Sequence, residues 1–169
     1  MKLFFTLSIL IFKLSALTLQ NFNASFKQII TDEYNKTISY SGLITAQTPS
    51  NVVYHYTSPM KKSLFLLDKN IIIVEDELEQ IIVRRLKSEI NLFELLKNAR
   101  KNDNGTFISK YKGFTFYIKK KNNLPKSIEY SDELDNTIHI EFFNIKTNIK
   151  LAQDTFKPNI PPFYDVIKE

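Results

Sequence analysis

Gly42-Leu43-Ile44-Thr45-Ala46 runs on to Pro49, and Val52-Val53-Tyr54-His55-Tyr56 follows before Ser58-Pro59 closes the stretch. Just ahead of it lies Ser25-Phe26-Lys27-Gln28. In these pieces large apolar side chains recur at every second position, the spacing of a strand with one buried face. Proline has no N–H to give to a ladder, so Pro49 and Pro59 mark strand ends rather than interiors. The stretch predicts two adjacent β-strands whose large side chains face a common interior. It carries no catalytic constellation.

The same alternation extends through most of the chain. Phe26, Gln28 and Ile30 share one face of a first strand, and Ile38, Tyr40, Gly42 and Ile44 one face of a second. Val52, Tyr54 and Tyr56 do so in a third. Leu64–Leu67, Ile71–Val74 and Ile81–Val83 are apolar on both faces, which predicts strands covered on both sides. Phe114, Phe116 and Ile118 follow, then Ile128 and Tyr130, then Ile138, Ile140 and Phe142. Turn signals separate the runs at Glu33-Tyr34-Asn35, Asp68-Lys69-Asn70, Lys112-Gly113, Asn122-Asn123 and Leu134-Asp135-Asn136.

One segment departs from period two. Between Asn91 and Arg100, Leu92, Leu95, Leu96 and Ala99 stand at helical spacing. Ser88 or Asn91 can cap this short amphipathic helix, and Lys97, Arg100 and Lys101 suit its negative C-terminal end. The tail from Pro158 to Tyr164 contains Pro158, Pro161 and Pro162, so it reads as an edge or a covering loop and not as a central strand.

Many antiparallel strands with one helix leave a sandwich or a barrel. A sandwich closes its core, whereas a half-open barrel with a helix across its mouth leaves an apolar cavity. Strands that are apolar on both faces, with a single helix to cover them, favour the second. The predicted fold is mainly β: a half-open antiparallel β-barrel, a strongly curved sheet, with a short α-helical lid.

The N-terminus reads separately. Met1-Lys2 is positive, Leu3–Phe12 is an apolar run, and Leu14-Ser15-Ala16 offers small residues for cleavage. This is the layout of a secretory signal peptide. The run is well short of the roughly 20 residues a spanning helix requires. Residues 1–16 are predicted to be removed, leaving 17–169 as one domain. The formal charge then falls from +5 to +3, because 23 basic residues become 21 against the same 18 acids. That balance and the predicted export argue against nucleic acid as a partner.

The chain has no cysteine. It therefore contains neither disulfides nor thiolate metal sites, and no Cys stands at the cleavage site to accept a lipid anchor. His55 and His139 read as surface or packed residues, and no metal or other cofactor is expected. With three glycines in all, a phosphate-cradling loop has no material. Lys119-Lys120-Lys121 and Arg84-Arg85-Leu86-Lys87 read as solvated edges and turns, or as a docking surface for anionic groups.

Several of these pieces, in order, resemble a known family. Ala24-Ser25-Phe26-Lys27-Gln28 resembles its opening strand. Ser41-Gly42, Pro49, Tyr54-His55-Tyr56 and Pro59 resemble the Gly–Pro–aromatic–Pro run that follows. Ser63–Asp68 with Ile71-Ile72-Ile73 and then Leu78-Glu79-Gln80 are similar to its next elements. Asn123-Leu124-Pro125, Phe142-Phe143-Asn144, Phe156 with Pro158, and Pro162 resemble its closing strands. The family is LolA, the periplasmic lipoprotein carriers.

The resemblance implies a non-enzymatic periplasmic chaperone, monomeric, that takes acylated lipoproteins from an inner-membrane ABC exporter. Delivery would be to an outer-membrane receptor or to the membrane itself. It assigns the cavity to Phe26, Leu43 or Ile44, Val52, Tyr54, Tyr56, Leu64, Leu66, Ile73 and Ile82, and the lid to Leu92, Phe93, Leu95 and Leu96. A LolA-like sensor or regulatory module that binds a lipid or lipoprotein is the alternative, and a secreted acyl-directed enzyme is a third class with no visible constellation. One departure concerns the lid. Many members carry an Arg directly before the proline at position 49, thought to tether the lid, and Thr48 stands there. A hydroxyl cannot replace five guanidinium donors. Lid control is then expected to weaken or to pass to Arg84 or Arg85.

Overall fold

The structure, a computed structural model, describes residues 19–86 and 91–168. The predicted signal peptide and Ser88, one of the two candidate caps, lie outside the described residues.

Twelve strands form one sheet: β1 (Asn21–Thr31), β2 (Thr37–Gln47), β3 (Asn51–Ser58), β4 (Lys62–Leu67), β5 (Asn70–Glu75), β6 (Gln80–Arg85), β7 (Arg100–Lys101), β8 (Phe107–Tyr111), β9 (Phe114–Lys121), β10 (Leu124–Ser131), β11 (Thr137–Thr147) and β12 (Asp165–Lys168). Their spatial order is β12-β6-β5-β4-β3-β2-β1-β11-β10-β9-β8-β7. Neighbours are antiparallel except β12, which pairs parallel with β6. The sheet is open, with β12 and β7 at its edges, and curves strongly around one helix, α1 (Leu92–Asn98). This is the expected mainly-β, half-open architecture.

The hairpins follow from their turn residues. β1–β2 and β10–β11 are closed by the same loop. The Asp32 carboxylate accepts the N–H groups of Tyr34 and Lys36 at 2.9 and 2.8 Å. Asp132 accepts those of Leu134 and Asn136, both at 2.9 Å. Asn35 and Asp135 take the left-handed conformation at the equivalent place, φ 61° and 59°.

Curvature gives the sheet two interiors. The concave face buries Phe22, Ala24, Phe26, Ile44, Ala46, Val52, Ile118, Ile128, Ile138, Ile140 and Phe142 together with Leu95 and Leu96 of α1. The convex face has a smaller core of Val53, Phe65, Val74 and Ile81, over which Phe156 and Tyr164 of the C-terminal tail pack. This explains why β4, β5 and β6 are apolar on both faces: one side meets the cavity region and the other meets the tail. The proline-rich tail is a cover that ends in an edge strand, as its composition predicts.

The helix begins where expected. Asn91 is extended and its side chain accepts the Glu94 N–H at 3.0 Å, an N-cap. It stops at Asn98, short of the predicted Arg100. Arg100 and Lys101 pair instead with Ile108 and Phe107. That β7–β8 hairpin carries no strong alternation, and ladder pairing overrode helical spacing there.

Candidate functional site: an apolar cavity under the helix

Strand register decides which side chains meet. Ala24 pairs with Ile44, Ile44 with Tyr54, Tyr54 with Leu64, Leu64 with Ile73 and Ile73 with Ile82. Paired residues share a face, so these side chains form one row across the concave side. A neighbouring row runs Phe22, Ala46, Val52, Leu66, Ile71 and Arg84.

Between these rows and the helix lies a cavity of about 850 Å³. Val52, Tyr54, Tyr56, Leu64 and Leu66 form one wall, Tyr111, Phe114, Phe116, Ile128, Tyr130 and Ile140 the other, and Leu92 and Leu95 of α1 lie between. Phe26 and Ile44 are on the same concave face but sealed beneath the wall, 2% and 0% exposed. Ile73 and Ile82 continue the row beyond the cavity lining. Leu43 points to the convex side, which resolves the choice between Leu43 and Ile44 in favour of Ile44 for the concave face. Phe93 turns from the cavity to the core, its ring 6.2 Å from that of Phe22.

Aromatic rings pack against one another in the wall. Phe26 meets both Tyr54 and Tyr56 edge-on at 5.3 and 5.2 Å, and Tyr54 stacks on Tyr56 at 6.0 Å. The Tyr56 hydroxyl donates to Gln28 Oε1 at 3.1 Å. Burial pushes the phenols of Tyr54, Tyr56 and Tyr130 upward, so the wall is uncharged at physiological pH. Charge gathers at the mouth instead, where Arg84, Arg85, Lys112, Asp132 and Glu133 stand. An uncharged interior with a charged rim is suited to a long apolar ligand and has no acid–base pair.

The helix is held from the sheet. The Asn91 N–H donates to the Tyr111 hydroxyl at 3.3 Å, and Lys120 Nζ donates to the Leu96 carbonyl at 2.9 Å. Thr48, at the β2–β3 connection, is exposed, and its N–H donates to the Gln20 carbonyl at 2.8 Å. Arg84 and Arg85 are exposed at the cavity mouth. Lys120 differs from its expected place on a solvated edge. It continues the parity of Phe114, Phe116 and Ile118 and so points inward, a signal present in the two-residue spacing.

The histidines lie on the convex side. His55 Nδ1 is 2.9 Å from Ser63 Oγ, and His139 Nδ1 is 3.0 Å from Glu129 Oε2. Among the described residues no group of three or more His, Asp or Glu side chains gathers to hold a metal ion, and no helix is long and apolar enough to cross a membrane.

Known proteins bear on this geometry. The model of the family described as outer membrane lipoprotein carrier protein LolA matches residues 17–159. An outer-membrane lipoprotein carrier protein of Campylobacter jejuni is 34% identical over 169 residues, covering 99% of this chain and 99% of that one. A protein of the same name from Helicobacter pylori (strain HPAG1) is 33% identical over 138 residues, covering 82% of this chain and 74% of the relative. An uncharacterized conserved protein from Thermus thermophilus superposes with a TM-score of 0.54 at 11% identity, covering 89% of this chain and 91% of that one, a likeness of fold. With the family model spanning most of the sequence and a relative aligned across nearly all of both chains, this chain belongs to the LolA family of outer-membrane lipoprotein carriers.

Proposed function

We propose that this protein is a periplasmic, non-enzymatic carrier that moves acylated lipoproteins to the outer membrane by burying their acyl chains between the concave wall and α1. The observation that carries the reading is the cavity of about 850 Å³ walled by Val52, Tyr54, Tyr56, Leu64 and Leu66 under Leu92 and Leu95. Each buried methylene is worth about 0.8 kcal/mol, and a single myristoyl chain holds a membrane marginally while two or more hold it firmly. A multiply acylated protein therefore needs an apolar host to cross water.

Residues 1–16 act as the export signal, and 17–169 as a single carrier domain. Cargo comes from an ABC-type exporter in the inner membrane and leaves to an outer-membrane receptor or to the bilayer.

The carrier names of relatives aligned over most of this chain support this reading over a sensor module. The test is release: spheroplasts bearing a labelled lipoprotein are incubated with the purified protein. A soluble complex of the two is expected. Retention of all label on the membrane, with the protein folded, overturns the carrier reading.

A further inference from the structure

The two edges of the sheet are built differently. β7 is two residues long, and both of them, Arg100 and Lys101, are exposed cations, a combination that discourages strand pairing. β12 is longer, Asp165–Lys168, and among the described residues its one ladder partner is β6. It contains no proline, its register is unbroken, and Val166 and Ile167 are 54% and 41% exposed. The Asp165 N–H donates to the Glu79 carbonyl at 2.9 Å, toward β6. Backbone groups alternate in direction along a strand, so those of Val166 and Lys168 point away from the sheet. An edge with outward ladder groups and exposed apolar side chains is a template for another strand.

Charge along this edge is polarised. At its start stand Asp165 and the exposed Asp76, Glu77 and Glu79 of the turn before β6. The Tyr164 hydroxyl donates to Asp76 at 2.9 Å and holds that turn beside the strand. At its far end Lys168 is level with Val83, just before the exposed Arg84 and Arg85. Asp68 and Lys69 of the adjoining β4–β5 turn offset each other. The edge therefore runs from an acidic end to a basic end, and Leu78 and Phe163 add exposed apolar surface at the acidic one. Two copies paired antiparallel set each acidic end on the other's basic end, whereas parallel pairing sets like charges together.

We propose that β12 is a self-pairing edge: a second copy of this chain adds its own β12 antiparallel and extends the sheet across a twofold interface. This departs from the monomer that the family resemblance implies, and it does not rest on the carrier reading. A four-residue strand supplies a short ladder, so the dimer forms at high protein concentration and dissociates on dilution. The opposed charges are exposed, so salt weakens it. Arg84 and Arg85 also stand at the cavity mouth, which places the second copy beside the entrance.

The test is sedimentation velocity of the mature chain, residues 17–169, over a dilution series at low and high salt. A monomer–dimer equilibrium that moves toward monomer with salt is expected. A monomer at millimolar concentration and low salt overturns the proposal and leaves the edge to a strand of another protein. Val166→Pro removes an outward N–H and no bond to β6, so it should abolish the dimer with the thermal midpoint nearly unchanged. Asp165→Lys and Lys168→Glu should each weaken self-association by about tenfold. An equimolar mixture of those two variants should recover the wild-type dimer, because each altered end then meets its opposite. Failure of the mixture to recover it, or a dimer that survives Val166→Pro, puts the contact elsewhere and overturns the edge. Should Val166→Pro fail to fold, the charge-swap mixture decides alone.

Discussion

The rings of Phe26 and Tyr56 meet edge-on at 5.2 Å across Gly42, which is the register partner of both. The glycine has no side chain to separate them. A Cβ at position 42 would come 2.0 Å from the His55 carbonyl oxygen, a backbone atom that cannot swing aside. Gly42→Ala is therefore expected to destabilise the fold by about 1–3 kcal/mol, the usual range for overpacking. Urea unfolding should show a lower midpoint with an unchanged slope, and an unchanged midpoint would contradict the close approach.

The cavity wall should stay uncharged at alkaline pH. Tyr54, Tyr56 and Tyr130 have raised pKa values in the folded state because of burial, whereas in the unfolded chain they titrate near 10. Above that value the native state holds more protons than the unfolded one, so stability falls as pH rises. Tyrosinate absorbance from Tyr54, Tyr56 and Tyr130 is expected to appear together with loss of structure. Ionisation of these three phenols while the protein stays folded would refute it.

His55 predicts an acid-side effect of opposite sense. Partial desolvation lowers its pKa below the ordinary 6.5, although the ring, 6.1 Å from that of Phe65, keeps much of its surface in solvent. As pH falls through 6.5 toward the folded value, the unfolded state binds more protons and stability declines. His55→Gln should flatten this slope. Unfolding midpoints taken on either side of the ordinary histidine pKa test it, and identical slopes in the two proteins would remove His55 as the cause.

Leu64 and Leu66 stand half-buried in the cavity wall. Leu64→Ser and Leu66→Ser should leave the thermal midpoint nearly unchanged yet weaken acyl binding by about tenfold. A hydroxyl left without a partner against acyl chains costs about 1–3 kcal/mol. Lipoprotein release from spheroplasts is the measurement, and undiminished release would place the chains elsewhere.

Phe156 covers the convex core from the tail. Phe156→Ala is expected to cost about 2 kcal/mol through lost apolar burial while leaving the acyl-probe affinity intact, since the cavity lies on the opposite face. A loss of probe affinity as large as the loss of stability would mean that the two faces are coupled.

Much of this protein is legible from local spacing. Alternation at Phe26–Ile30, Ile38–Ile44 and Val52–Tyr56 determines strands with a common interior, because side-chain direction in a strand repeats every two residues. The departure to helical spacing at Leu92, Leu95 and Leu96 determines the lid, and Asn91 its start. Double-sided apolar runs in β4–β6 determine that both faces are covered.

Tertiary structure decided the rest. Alternation says that Ile44 and Leu43 face opposite ways, and pairing with Tyr54 and Ala24 says which of them faces inward. Spacing within β9 puts Lys120 on the face of Phe116 and Ile118, and only the fold brings that face to the Leu96 carbonyl. That contact spans 24 residues, and the convex core and its tail are further apart still. Local periodicity sets the two faces of each strand, but long-range pairing chooses between them, and the cavity, its wall and its lid depend on that choice.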